Sequence, residues 1–152
     1  MLDDIYNAKI LEFAGNIPHL GRLEAPQASA TAISKLCGSK VIVDLSLEDG
    51  RVSAFAHDVK ACALGQASAS LMARHVVGAT ADELRELKAT MYAMLKDDGP
   101  APEGKFEEFR FLAPVKDYKA RHASTLLAFD AVVDCLDQIA ARAAEPAASV
   151  PG

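Results

Sequence analysis

The sequence predicts an α+β fold: a small antiparallel sheet of about three strands covered by helices, with an N-terminal helix first and a long C-terminal helix last. Three observations predict it. Val41, Val43, Leu45 and Leu47 alternate with Ile42, Asp44, Ser46 and Glu48, the period-two pattern of a half-buried strand. Asp49-Gly50 follows at once, and such a pair fills the two positive-φ positions of a tight hairpin. After Cys62 the period becomes helical and stays so, and strands followed by helices give helices laid on one sheet face.

The first element, DDIYNAKILEFAGN, carries Ile5, Ala8, Leu11 and Ile10, Phe13, Ala14 at helical spacing. Asp3 or Asp4 can cap it, and Gly15-Asn16 can end it. Pro18 and Gly21 then punctuate an irregular connection. Val52 to Val59 is the strand returning from the hairpin. Ala28 to Leu36 is a third strand whose alanines would also suit a helix. ALGQASASLMARHVVG reads as a small-residue helix ending near Gly78. Thr80-Ala-Asp-Glu83 is a capping box, in which the Thr hydroxyl and the Glu carboxylate satisfy each other's backbone amides. Behind it Leu84, Leu87, Met91 and Leu95 form one apolar stripe. DDGPAPEG is a surface loop, and Phe106, Phe109 and Leu112 suggest a short helix. VKDYKARHASTLLAFDAVVDCLDQIAARA is the last helix, with Leu126, Phe129, Val133, Leu136 and Ala140 as its buried stripe and Asp130, Asp134 and Asp137 as a solvated face. The expected domain covers residues 1–142, with residues 143–152 a frayed tail.

Bulk properties narrow the function. A chain of 152 residues with 51% hydrophobic content can bury a core. A net charge of −5 argues against a nucleic-acid partner, which calls for clustered Lys and Arg. No apolar run is long enough for a membrane span. MLDDIYNAK is acidic and lacks the apolar core of an export signal. Three cysteines then suggest free thiols in a reducing cytoplasm.

The thiols carry the chemical signal. Cys37 sits in KLCGSK, a glycine turn between two extended segments. Cys62 sits where a strand gives way to a helix, and unpaired amides at a helix start favour thiolate, the form that binds metal or attacks sulfur. The two turns could meet at one end of the sheet. Cys135 is mid-helix with no turn nearby and reads as a small packing residue. His57 and Asp58 lie a few residues before Cys62 and could point into the same site, and His122 stands near the start of the last helix. His19 and His75 carry less signal. A hydrolase using Cys62 and His57 lacks an identifiable oxyanion hole or orienting group. Phosphate-binding glycine loops are absent. No enzymatic activity is expected.

The stretches YNAKILEFAGNIPHLG, LCGSKVIVDLSLEDGRV, FAHDVKACALGQASASLMARHVVG and PVKDYKARHASTLLAFDAV resemble, in order and spacing, the U-type iron–sulfur cluster assembly scaffolds, the NifU N-terminal, IscU and SufU group. The segment around Cys62 with ASAS behind it is the most specific, and the last helix looks closest to the SufU-like branch. Members hold a metal or nascent cluster with three cysteines and an aspartate. By this resemblance the first cysteine is Cys37 and the second Cys62. The aspartate of the CGD turn is here Ser39, and the third cysteine is Ser124. A serine hydroxyl is a weak neutral donor beside a thiolate, so Ser39 and Ser124 mark the site lining rather than ligands. Cys135 lies eleven residues beyond Ser124, about 16 Å along a helix, too far to replace it. The resemblance therefore implies Cys37 and Cys62 as the chemical pair, with His57, Asp58 or His122 as auxiliary ligands.

Three functions follow from that resemblance. A scaffold or carrier would receive sulfur from a cysteine desulfurase and hold a transient iron–sulfur cluster or iron, with zinc as an alternative. It would pass the cluster to recipient apoproteins, its missing ligands supplied by a second subunit of a homodimer or by an external thiol. A sulfur acceptor would carry a persulfide without a stable cluster. A degenerate regulatory module would keep only the docking to the desulfurase machinery.

Overall fold

In the computed structural model of the protein, which describes residues 4–36 and 38–144, the period-two segment becomes the middle of a three-stranded antiparallel sheet. The strands are β1 (Ala28–Ser34), β2 (Ser39–Glu48) and β3 (Arg51–Lys60), in that order across the sheet. Asp49 and Gly50 turn the hairpin at φ 53° and 77°, with Glu48 opposite Arg51 and a bulge between Ser46 and Leu47. The predicted α+β class, helix first and long helix last, is the observed one.

Register decides which side chains face the core. Val41, Val43 and Leu45 stand opposite Ala32, Ala30 and Ala28 on one side and Val59, His57 and Phe55 on the other. Paired residues share a face, so these nine make the core-facing surface, with Ala32 and Val59 half-buried at its end. The alanines of β1 are not a helix signal here. They lie under the long last helix, which packs against β1 and β2, and their small side chains leave it room.

The opposite face holds Asp44, fully buried. Its carboxylate accepts from Arg22 at 2.7 and 3.0 Å, from the Leu23 amide at 2.9 Å and from the Ser29 hydroxyl at 2.6 Å. Burial pushes the carboxyl up, but these hydrogen bonds and the Arg22 charge outweigh it and hold Asp44 below its ordinary value. The same connection closes the sheet's outer edge: Gly21 donates to the His57 carbonyl at 2.8 Å and His57 to the His19 carbonyl at 3.2 Å. Covering an edge strand removes a template for unwanted pairing.

Four α-helices and two 3₁₀ segments pack with the sheet among the described residues. Helix α1 (Asp4–Gly15) buries Ile10 and Phe13, whereas Ala8 and Leu11 of the other expected set are exposed, Leu11 at 65%. Asp3, one of its two expected caps, lies outside the described residues. Helix α2 (Ala63–His75) buries its small residues Ala67, Ser68, Ala69 and Ser70. These let it approach α4 (His122–Ala143) closely, with Ser68 donating to the Thr125 carbonyl at 2.6 Å. Helix α3 (Ala81–Lys96) opens with the expected capping box, Glu83 N–H to Thr80 Oγ1 at 3.1 Å and Thr80 N–H to Glu83 Oε1 at 2.9 Å. Its predicted stripe of Leu84, Leu87, Met91 and Leu95 is buried.

Two expectations change at the C-terminal half. The short helix is a kinked 3₁₀ run over Gly104–Asp117, burying Phe106, Phe109, Leu112 and Val115. Those four recur every third residue, the repeat of a 3₁₀ helix. The run takes in VKD, so α4 begins at His122 after a single 3₁₀ turn, Lys119–Arg121. On α4, Leu126, Phe129 and Leu136 are buried as expected, while Val133 is half-buried and Ala140 exposed. Asp130 is more than a solvated face, since it accepts from the Tyr92 hydroxyl at 2.6 Å. Residues 145–152, most of the expected tail, lie outside the described residues.

Candidate functional site

Where β3 ends and α2 begins, Cys62 is the N-cap residue, extended at φ −67°, ψ 173°. Its half-buried sulfur lies 3.5 Å from Ser124 Oγ in the first turn of α4. Sixty-two residues of chain separate the two, and Gly65 makes the meeting possible. A Cβ at Gly65 would stand 2.7 Å from the Ala61 Cβ and 3.3 Å from the Ser124 carbonyl oxygen. A Gly65→Ala substitution is therefore expected to force the start of α2 off α4. It should lower stability by roughly 1–3 kcal/mol in urea unfolding and change the alkylation rate of Cys62.

Burial pushes the Cys62 thiol up, but it is outweighed by the hydrogen bond with Ser124, the Gly65 and Leu64 amides and the Arg121 charge, so the pKa lies below its ordinary value. The amides face the sulfur without closing a cap hydrogen bond. Ser124 has one proton and two lone pairs. That proton goes to the Arg121 carbonyl at 3.2 Å while Cys62 is a thiol, and it can turn to the sulfur once Cys62 is a thiolate.

A solvent-open cavity of about 450 Å³ lies in front of the sulfur, lined by Gly38, Ser39, Lys60, Cys62, Gln66 and Arg121, with Ala61. Ser39 is the first residue of β2, paired with Ser34 and buried. Cys62, Ser39 and Ser124 thus meet at one end of the sheet. Cys37 lies outside the described residues, although its neighbour Gly38 lines the cavity. Lys60, Gln66 and Arg121 were not singled out in the sequence. The available signal is an Arg three residues before Ser124, at the N-cap of the last helix.

The proposed auxiliary ligands sit elsewhere. His57 is buried on the core face of β3, its Nε2 2.8 Å from the Pro18 carbonyl oxygen and its ring against Phe55. Burial, more than any neighbour, holds its pKa below the ordinary value. Asp58, next along the strand, points to the opposite face and is exposed. His122 is buried and directs Nε2 to the Val115 and Lys116 carbonyls at 3.1 and 3.0 Å, tying α4 to the 3₁₀ run. His57 and His122 hold structure, and none of the three side chains lines the cavity. Among the described residues no group of three His, Cys, Asp or Glu side chains could hold a metal ion. Cys135 is fully buried in the core, its Sγ 3.5 Å from the Val43 carbonyl oxygen, and burial raises its pKa to about 12.

Residues 5–125 match the family model of the NifU-like N terminal domain. The chain is 27% identical over 135 residues to the iron-sulfur cluster assembly scaffold protein IscU of Thermotoga maritima, covering 89% of this chain and 94% of that one. It is 64% identical, with a TM-score of 0.89, to the crystal structure of a nitrogen-fixing NifU-like protein (N-terminal) from Brucella abortus, covering 92% of this chain and 97% of that one. A putative SUF-system scaffold, SufU of Fervidobacterium islandicum, shares the fold at 20% identity and a TM-score of 0.77, over 84% of this chain and 93% of that one. With a family match across most of its length, the chain belongs to the NifU-like N-terminal domain family.

Proposed function

We propose that the protein is an iron–sulfur cluster assembly scaffold whose sulfur-handling thiol is Cys62, with Cys37 as its partner. The observation that carries this is the half-exposed, low-pKa Cys62 at an open cavity, in a chain whose relative from Thermotoga maritima is a scaffold by name. Thiolate at that position attacks the terminal sulfur of a donor persulfide: a new S–S bond forms at Cys62 and the donor leaves as thiolate. The donor class is a cysteine desulfurase, and cluster cargo goes on to recipient apoproteins in the cytoplasm. Gly38 and Ser39, which follow Cys37, line the cavity with Cys62 and support its place in the site.

A second reading, persulfide carriage without a stable cluster, is favoured by one observation: the hydroxyl of Ser124 stands 3.5 Å from Cys62, where the family resemblance puts a third thiolate. Two anaerobic incubations separate the two, one with iron and sulfide and one with a cysteine desulfurase and cysteine as persulfide donor. A visible chromophore lost in Cys37→Ala and in Cys62→Ala supports the scaffold; addition of one sulfur by mass, with no chromophore, supports the carrier. The double variant Ser39→Asp/Ser124→Cys is expected to turn weak zinc binding into stoichiometric binding, since it completes a four-ligand set. Zinc analysis after gel filtration checks it, and unchanged weak binding would count against the proposed ligand positions.

A further inference from the structure

The cavity at Cys62 carries a charge pattern that sulfur transfer does not require. Lys60 and Arg121 line it, and neither forms an ion pair among the described residues. Lys40 stands directly opposite Lys60 on the same face of β2 and β3, and like charges directly opposite each other in a sheet destabilise it. The nearest carboxylate on that face, Asp58, is one rung further along, opposite Ile42, where it acts on Arg22. No carboxylate lines the cavity. In a chain of net charge −5, this end of the sheet is a local concentration of uncompensated positive charge around a thiol.

The volume in front of Cys62, about 450 Å³, exceeds what one sulfur atom needs. The coordination places at Ser39 and Ser124 bear hydroxyls, which are poor ligands for iron. An occupant that answers both features brings a thiolate for the metal and negative charge for Lys60 and Arg121.

Resting on the scaffold reading, we infer that the cavity binds a small anionic thiol, a mercaptocarboxylate, as an external ligand of the cluster. Its carboxylate pairs with Lys60 and Arg121. Its sulfur gives an electron pair to iron and its thiol proton leaves to solvent, with no change of oxidation state. Neutral and cationic thiols offer the same sulfur without the pairing.

The test uses mercaptosuccinate, 2-mercaptoethanol and cysteamine as anionic, neutral and cationic probes during anaerobic reconstitution of the full chain. Half-maximal cluster absorbance is expected at about tenfold lower mercaptosuccinate than 2-mercaptoethanol, the scale of two exposed ion pairs. The ratio should shrink as salt is raised and fall towards one in Lys60→Gln/Arg121→Gln, whose fold is checked by circular dichroism. A second measurement needs no cluster: mercaptosuccinate titrated into the apoprotein should shift the amide NMR signals of Gly38 and Ser39. Equal potency of the three thiols, a ratio unchanged in the double variant, or no amide shifts overturns the inference while leaving the scaffold reading in place. Amide shifts without a chromophore under any thiol overturn the scaffold reading and leave the anion site standing.

Discussion

Asp44→Ala should destabilise the fold by roughly 3 kcal/mol, because it leaves the Leu23 amide and the Ser29 hydroxyl without their buried acceptor. Both bonds are short, 2.9 and 2.6 Å, and the carboxylate that takes them is fully buried. Arg22 is half in solvent and can turn to water, so its loss adds less. Urea unfolding measures the change, and Asp44→Asn, which keeps one acceptor oxygen, should lose less. Because the native pKa of Asp44 is depressed, its ionised form stabilises the fold fully above the ordinary carboxylate range. That stabilisation fades as pH falls through the depressed native value. Wild type should therefore lose stability below about pH 4 more steeply than Asp44→Asn. Parallel acid profiles would count against this role for Asp44.

Cys62→Ala should abolish sulfur addition to that position altogether, while changing stability by less than about 1 kcal/mol, as befits a half-exposed side chain. Incubation with a cysteine desulfurase and cysteine, followed by mass spectrometry of peptides, reads the first effect. Cys135 is the internal control: it is fully buried with its pKa raised to about 12, so it should stay unmodified in every folded variant. The pH profile adds a sign. The depressed Cys62 pKa means that iodoacetamide alkylation reaches half its maximal rate at lower pH than for a free cysteine. Ser124→Ala and Arg121→Gln each remove a contributor to that depression and should move the midpoint up. A midpoint that moves down in either variant would refute the assignment.

Much of this was legible in the sequence because it is written in local chemistry. The Asp49-Gly50 turn, the Thr80–Glu83 box and the step from period two to helical period at Cys62 each depend on a few adjacent residues. What the sequence hid depends on partners far along the chain. Asp44 read as one polar member of an alternating strand, and only folding sets it against Arg22, Leu23 and Ser29. His57 and His122 looked available for metal because a ring nitrogen is a ligand in principle, yet backbone carbonyls of Pro18, Val115 and Lys116 take up their Nε2 atoms. The 3₁₀ run was read as a short helix from Phe106, Phe109 and Leu112. Val115, the next in that three-residue step, falls in the segment read as the last helix, which in the structure begins at His122 with Arg121 as its N-cap.

Ser124 rides on the same helix as Phe129 and Cys135, which anchor it in the interior, and Arg121 is that helix's N-cap residue. One wall of the cavity at Cys62 is thus the tip of the molecule's spine. Repacking around Phe129 would retune the thiol from a distance, whereas exchanging side chains at the tip alters its reactivity and leaves the backbone of the domain undisturbed.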